Sequence, residues 1–155
     1  MFLIWEKMDY IILLQAKEIK YFGAGMNSQE ASKPLILKHN NITIGFLGYC
    51  TNSTGYGYLP VAGINNPGIN NLETTNYISQ IKNTKRKCDY LFMLIHWGNE
   101  HTFFPPYMCK KIAYEMIQSG ADGIIGSHPH RIQSKIIYKN KPIFFSILAL
   151  KKTEQ

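Results

Sequence analysis

Three histidines stand where chemistry could start. His96 ends the apolar run Tyr90-Leu91-Phe92-Met93-Leu94-Ile95, and His128 and His130 follow a second short apolar run, Gly123-Ile124-Ile125-Gly126, within Ser127-His128-Pro129-His130. Four of the five histidines lie between positions 96 and 130. Imidazole nitrogen suits Zn, Fe, Ni and Cu, while carboxylates favour Mn and Mg, so a histidine cluster completed by carboxylates could hold a metal that activates water. Glu100 is a nearby candidate for orienting an imidazole, although a solvated loop charge fits its position equally well. A single histidine after a strand is usually a surface or hydrogen-bonded core residue; three at matched strand ends favour convergence on one ligand.

That convergence needs a scaffold. The unbroken run 90–95 reads as a central strand covered on both faces. Pro105-Pro106 can open a helix, and Cys109, Ile112, Ala113, Met116 and Ile117 then recur at the spacing of one buried face before Gly120 closes it. With the run at 122–126, this forms a βαβ unit with parallel strands and a right-handed crossover. Both histidine groups then leave the carboxyl ends of parallel strands, the edge where open α/β sheets place ligands. Pro129 disfavours the helical region for His128, so an extended Ser-His-Pro-His segment is expected, with both imidazoles on one side.

The remaining elements are simpler. Residues 8–19 have the apolar spacing of a short helix leading to the Tyr21-Phe22-Gly23-Ala24-Gly25 turn. Residues 34–39 and 42–49 read as a hairpin around Asn40-Asn41, and residues 51–70, rich in Gly, Asn, Tyr and Pro, as a long surface loop. Asn71 is expected to cap a helix whose face is Leu72, Tyr77, Ile78 and Ile81 and whose end is Lys85-Arg86-Lys87. A last hairpin joins 132–138 to 142–148 through Lys139-Asn140-Lys141.

The composition bounds these readings. With 155 residues, 45% hydrophobic and 17% charged, the chain is the size of one globular domain and excludes a disordered or fibrous class. No signal peptide or membrane-spanning run is visible, and three cysteines without a Cys-x-x-Cys pair indicate neither a disulfide framework nor a thiolate zinc site. The net charge of +7 invites a nucleic-acid reading. Its one dense cluster, Lys82, Lys85, Arg86 and Lys87, is better explained as a solvated helix end, so no nucleic-acid partner is expected.

Longer segments resemble a known family. His96-Trp97-Gly98-Asn99-Glu100, the run Ser119-Gly120-Ala121-Asp122-Gly123-Ile124-Ile125-Gly126-Ser127-His128-Pro129-His130-Arg131-Ile132-Gln133, and Lys141-Pro142-Ile143-Phe144-Phe145-Ser146 resemble the CapA-type capsule synthesis family, or poly-gamma-glutamate capsule biosynthesis proteins. Phe22-Gly23-Ala24-Gly25-Met26-Asn27, Glu30-Ala31 and Pro34 match it in the same order. That family is similar to calcineurin-like metallophosphoesterases. The resemblance implies an α/β layered sandwich, a mixed sheet with helices, and a divalent metal (Mn, Zn or Fe). It carries over His96, His128 and His130 as catalytic metal ligands, with Glu100, Trp97 and Gly98 beside the metal or the substrate. Asn27 and Glu30 are expected only to cap a helix.

The departures imply a back-half copy. The family's first strand ending in Gly-Asp, its Asn-Leu-Glu segment and its Asn-Asn-His segment do not precede Phe22, and Ser146-Ile147-Leu148-Ala149-Leu150 replaces the usual Ser-Leu-Gly-Asn-Phe. Asn71-Leu72-Glu73 is read as a chance identity. The expected organisation is a helix remnant at 1–20, the C-terminal part of a CapA-type domain at 21–148, incomplete on its N-terminal side, and a polar tail at 149–155. The implied function is metal-assisted attack of water on a phosphoryl or acyl group in making or exporting capsule polymer. The alternative is a non-catalytic assembly module or inactive fragment. Expected partners are the polymer or a phosphorylated precursor and capsule synthesis machinery at the membrane.

Overall fold

The computed structural model describes residues 11–55 and 60–147. Residues 11–16 are helical, as the apolar spacing predicts, and the expected start at 8–10 lies outside the described residues. The chain then forms β1 (Ala24–Gly25) and the short helix α1 (Ser28–Ala31). Asn27 caps α1 by accepting the Glu30 N–H at 2.9 Å, and the Glu30 carboxylate accepts the Met26 N–H at 3.0 Å. This reciprocal arrangement gives both residues the structural role expected of them.

Strands β2 (Leu35–His39) and β3 (Ile42–Cys50) form the first hairpin, with Leu35 opposite Phe46 and His39 opposite Ile42. Only Asn40 of the turn pair has a positive φ, 53°. The stretch 51–70 is less irregular than its composition suggests. It holds a 3-10 turn at Asn52–Gly55 and the strand β4 (Gly68–Ile69), which pairs antiparallel with β1. Asn71 does not open the next helix: its side chain accepts the N–H groups of Glu73 and Thr74, closing a separate turn. Asn76 caps α2 (Tyr77–Lys85) by accepting the Ser79 N–H at 3.0 Å. Ile81 is buried under α2, whereas Ile78, expected on the same face, is exposed.

The βαβ unit is present as predicted. Strand β5 (Tyr90–His96) leads through α3 (Tyr107–Ser119) to β6 (Gly123–Ser127), and the two strands are parallel neighbours. Cys109, Ala113, Met116 and Ile117 are buried on one face of α3, and Gly120 ends the helix at φ 121°, a conformation costly for other residues. Strands β7 (Lys135–Tyr138) and β8 (Lys141–Phe144) form the last hairpin. Lys139 and Asn140 both have positive φ in its turn, the pattern of a type I′ connection. The second strand is shorter than expected, ending at Phe144, and residue 148 lies outside the described residues.

The result is an α/β fold built on a mixed six-stranded sheet of order β2-β3-β5-β6-β8-β7. Its four inner strands run parallel and the two edge strands antiparallel. Helices α2 and α3 touch each other, and Leu47, Leu91, Met93, Ile95, Ile81, Ala113, Met116 and Ile124 form the core with them. Alternation along β5 sends Leu91, Met93 and Ile95 into that core and leaves Phe92, Leu94 and His96 half-buried on the opposite face.

At the amino ends of the strands, Asp122 ties three elements together. Its buried carboxylate accepts the Leu91 N–H at 2.8 Å and the Lys85 ammonium at 2.7 Å, and also pairs with Lys141. Lys85 is thereby withdrawn from the basic cluster at the end of α2.

Candidate metal centre

Strand register places the site. Cys50, His96 and Ser127 are Cα partners at the carboxyl ends of β3, β5 and β6. His96 Nδ1 lies 3.1 Å from the Ser127 hydroxyl, and His96 Nε2 lies 3.1 Å from His128 Nδ1. The Ser127 hydroxyl reaches the Ile95 carbonyl at 3.5 Å. One proton order satisfies the whole chain: His128 donates to His96, His96 to Ser127, and Ser127 to the carbonyl. In that order His128 keeps its Nε2 lone pair.

The second bank of the site is a loop held at both ends. Trp97 is fully buried, its indole N–H donating to the Phe145 carbonyl at 3.1 Å, and its ring lies 6.0 Å from that of Phe145. Gly126 makes this closeness possible, since a Cβ there would sit 2.0 Å from the Phe145 carbonyl oxygen. Trp97 therefore bears on the site by anchoring the backbone next to His96, and its ring lies in the core. Gly98 turns the chain at φ 89°, and the His101 N–H donates to the Pro129 carbonyl at 2.8 Å. Gln133 fixes the same loop from the other side by donating to the Thr102 carbonyl at 2.9 Å.

These ties bring Glu100 to the histidines. Each of Glu100, His128 and His130 offers a ligand atom within 4.8 Å of the other two, and Glu100 Oε1 is 3.9 Å from His130 Nε2. His96 joins this group through His128, with ring centroids 4.7 Å apart. The segment carrying the two histidines is not extended as predicted: His128 has φ 102° and His130 φ 52°. Their rings still lie 6.0 Å apart, because left-handed kinks around Pro129 replace the alternation of a strand. His101 lies 6.0 Å from the His130 ring.

Burial holds the His96 imidazole below the usual histidine range; the nearby His128 and His130 add to this and Glu100 opposes it. His128 is lowered by burial and by His130, again against Glu100. Both therefore favour the neutral form at pH 7; in the proton order above, His128 keeps its Nε2 lone pair available to a metal, while the His96 lone pair accepts from His128. A cavity of about 420 Å³ opens beside His96 and Ser127, with Leu94 and Ile125 in its lining.

Comparison with known proteins decides the family. The family model for "Bacterial capsule synthesis protein PGA_cap" matches residues 8–147. The chain belongs to this capsule synthesis family. It is 32% identical over 126 residues to PGA biosynthesis protein CapA of Bacillus subtilis (strain 168), covering 81% of this chain and 32% of that protein. It is 29% identical over 143 residues to capsule biosynthesis protein CapA of Bacillus anthracis, covering 90% of this chain and 34% of that protein. An uncharacterized protein of Sinorhizobium fredii, y4sH, is 27% identical over 84 residues, half of this chain and 17% of its own length. The chain thus spans about a third of the length of the two CapA relatives. Within the family's matched region, sequence reasoning missed Ser127 as the partner of His96. Its position immediately before His128 was visible, but the β5–β6 register that sets it opposite His96 was not.

Proposed function

We propose that Glu100, His128 and His130, with His96 against His128, form a divalent-metal site serving the synthesis or export of a capsule polymer. The observation that carries this reading is the convergence of Glu100, His128 and His130 within 4.8 Å, backed by a hydrogen-bonded His96. Mn, Zn or Fe suits this donor set. A bound ion would act as a Lewis acid on a phosphoryl or acyl oxygen and lower the pKa of a bound water.

The chain's own residues supply the setting. Neutral His128 offers its Nε2 lone pair without proton release, neutral His96 holds it by accepting its Nδ1–H, the Ser127 hydroxyl orients His96, and Trp97 and Gly98 hold the loop that presents Glu100. One carboxylate, from Glu100, beside the imidazoles of His128 and His130 leaves a divalent ion with excess positive charge, which favours an anionic substrate group. The names of the two CapA relatives support capsule polymer, poly-gamma-glutamate or polysaccharide, or a phosphorylated precursor as substrate. Capsule synthesis machinery at the membrane is the corresponding protein partner.

The test is metal retention. The purified chain is loaded separately with Mn, Zn and Fe, desalted and measured by elemental analysis, alongside His128→Ala and Glu100→Gln. Stoichiometric metal in the wild type, lost in His128→Ala and weakened in Glu100→Gln, is the expected result. Absence of retained metal in the wild type overturns the proposal.

A further inference from the structure

Beside the candidate metal centre, the segment from Thr102 into the first turn of α3 carries large apolar side chains into solvent. Phe104 is 83% exposed, Tyr107 77%, Phe103 61% and Met108 55%, and Ile132 on the neighbouring loop is 68% exposed. These residues do not belong to a slack segment. Gln133 holds the Thr102 carbonyl at 2.9 Å, the Thr102 hydroxyl holds the Asn99 carbonyl at 2.9 Å, and Pro105 is buried. A firmly held segment that keeps two adjacent phenylalanines and the first tyrosine of α3 in water presents apolar surface of the kind that marks an interaction site.

The charges around the patch select the partner. The Arg131 guanidinium lies over the Phe103 ring at 5.4 Å, and Lys110 and Lys111 follow on the first turns of α3. Residues 102–111 and 131–141 contain no Asp or Glu. Aromatic rings flanked by Arg131, Lys110 and Lys111, with Glu100 the nearest acidic residue in sequence, match the headgroup layer of an anionic bilayer: the rings enter the interface while the cations stay with lipid phosphates. No helix among the described residues is long and apolar enough to cross a membrane.

We propose that Phe103, Phe104, Tyr107 and Ile132, with Arg131 and Lys111 at their rim, seat this chain on an anionic membrane surface. The loop that ends in the patch begins with Glu100, so seating brings the candidate metal centre to headgroup level. The proposal does not depend on metal binding and is tested without metal.

Sedimentation with vesicles of phosphatidylcholine plus phosphatidylglycerol is compared with pure phosphatidylcholine vesicles, for the wild-type chain and for the double variant Phe103→Ser/Phe104→Ser. Both substitutions are at exposed positions, and circular dichroism verifies that the variant is folded. The expected result is preferential partition of the wild type onto the anionic vesicles, weakened by added salt and reduced at least about tenfold in the variant. Equal binding to both vesicle types, unchanged binding by the variant, or no binding by the wild type each overturns the proposal. Self-association of the wild type that the double variant abolishes, without lipid binding, overturns it in favour of a protein interface.

Discussion

Replacing Asp122 should unlock the amino ends of three strands. In Asp122→Ala the buried Leu91 N–H loses its side-chain acceptor, which costs about 1–3 kcal/mol when nothing replaces it. Lys85 and Lys141 lose their partner too, but each is about a third exposed and can turn to water, so each pair is discounted to about 0.5 kcal/mol. The total is about 3 kcal/mol. Asp122→Asn can still present an oxygen to Leu91 and should cost about 1 kcal/mol. For a chain of this size, 3 kcal/mol corresponds to a Tm lower by about 6–12 °C, readable by thermal denaturation followed by circular dichroism. The pH dependence gives a second handle. Burial pushes the Asp122 carboxyl up, but hydrogen bonds from Lys141, Lys85 and the Leu91 N–H outweigh it and leave it below the ordinary carboxylate range. Its contribution is therefore complete above the unfolded value of about 3.9 and is lost as pH falls through the folded one. The gap between wild type and Asp122→Asn should be constant from pH 6 to 8, within the range where Asp is ionised, and should close in acid. A loss below about 0.5 kcal/mol in Asp122→Ala, or a gap that persists in acid, would refute this account.

Gly126→Ala places a methyl 2.0 Å from the Phe145 carbonyl oxygen and 2.6 Å from the Trp97 indole nitrogen. It should therefore shift Trp97 and weaken both stability and metal retention, by about 1–3 kcal/mol in chemical denaturation, and an unshifted tryptophan emission spectrum would count against it. His96 and His128 have folded pKa values below 6.5, so the unfolded chain binds more protons. Stability should be complete above about pH 6.5 and fall as pH drops through the folded values, and metal retention should fall in the same direction. Imidazole resonances that titrate at or above 6.5 for these two residues in NMR would contradict it.

The scaffold of the site was legible in the sequence because it rests on periodicity. The apolar run of β5, the buried face of α3 and the turn residues between β7 and β8 each report local geometry directly, and the first two placed His96 and His128 at adjacent strand ends. What was not legible depends on contacts distant in sequence or on unusual backbone. The positive φ of His128 contradicts the extended conformation inferred from Pro129, because the loop is pinned from outside by the His101 N–H. Glu100 remained ambiguous because its approach to His130 is set by Gly98 and by the Gln133 bond to Thr102, 31 residues away. Asn71 and Asn76 are both side-chain acceptors at turns, and only the hydrogen bonds show which one starts α2. The pairing of Lys85 with Asp122, 37 residues apart, converted part of a surface charge run into an internal tie.

The single crossover from β5 through α3 to β6 has a further consequence. The proposed ligands and the His96 that supports them lie on a stretch of 35 residues, from His96 to His130, that returns to its starting point through one helix. A displacement of α3 moves both banks of the site together, so their spacing is insulated from distortions that would separate ligands carried by independent elements. Disturbance at the sheet edges, β2 or β7, reaches the histidines only after passing through this unit. The distance between the imidazoles should therefore outlast partial loss of the outer strands, making the centre one of the last features to come apart as the chain unfolds.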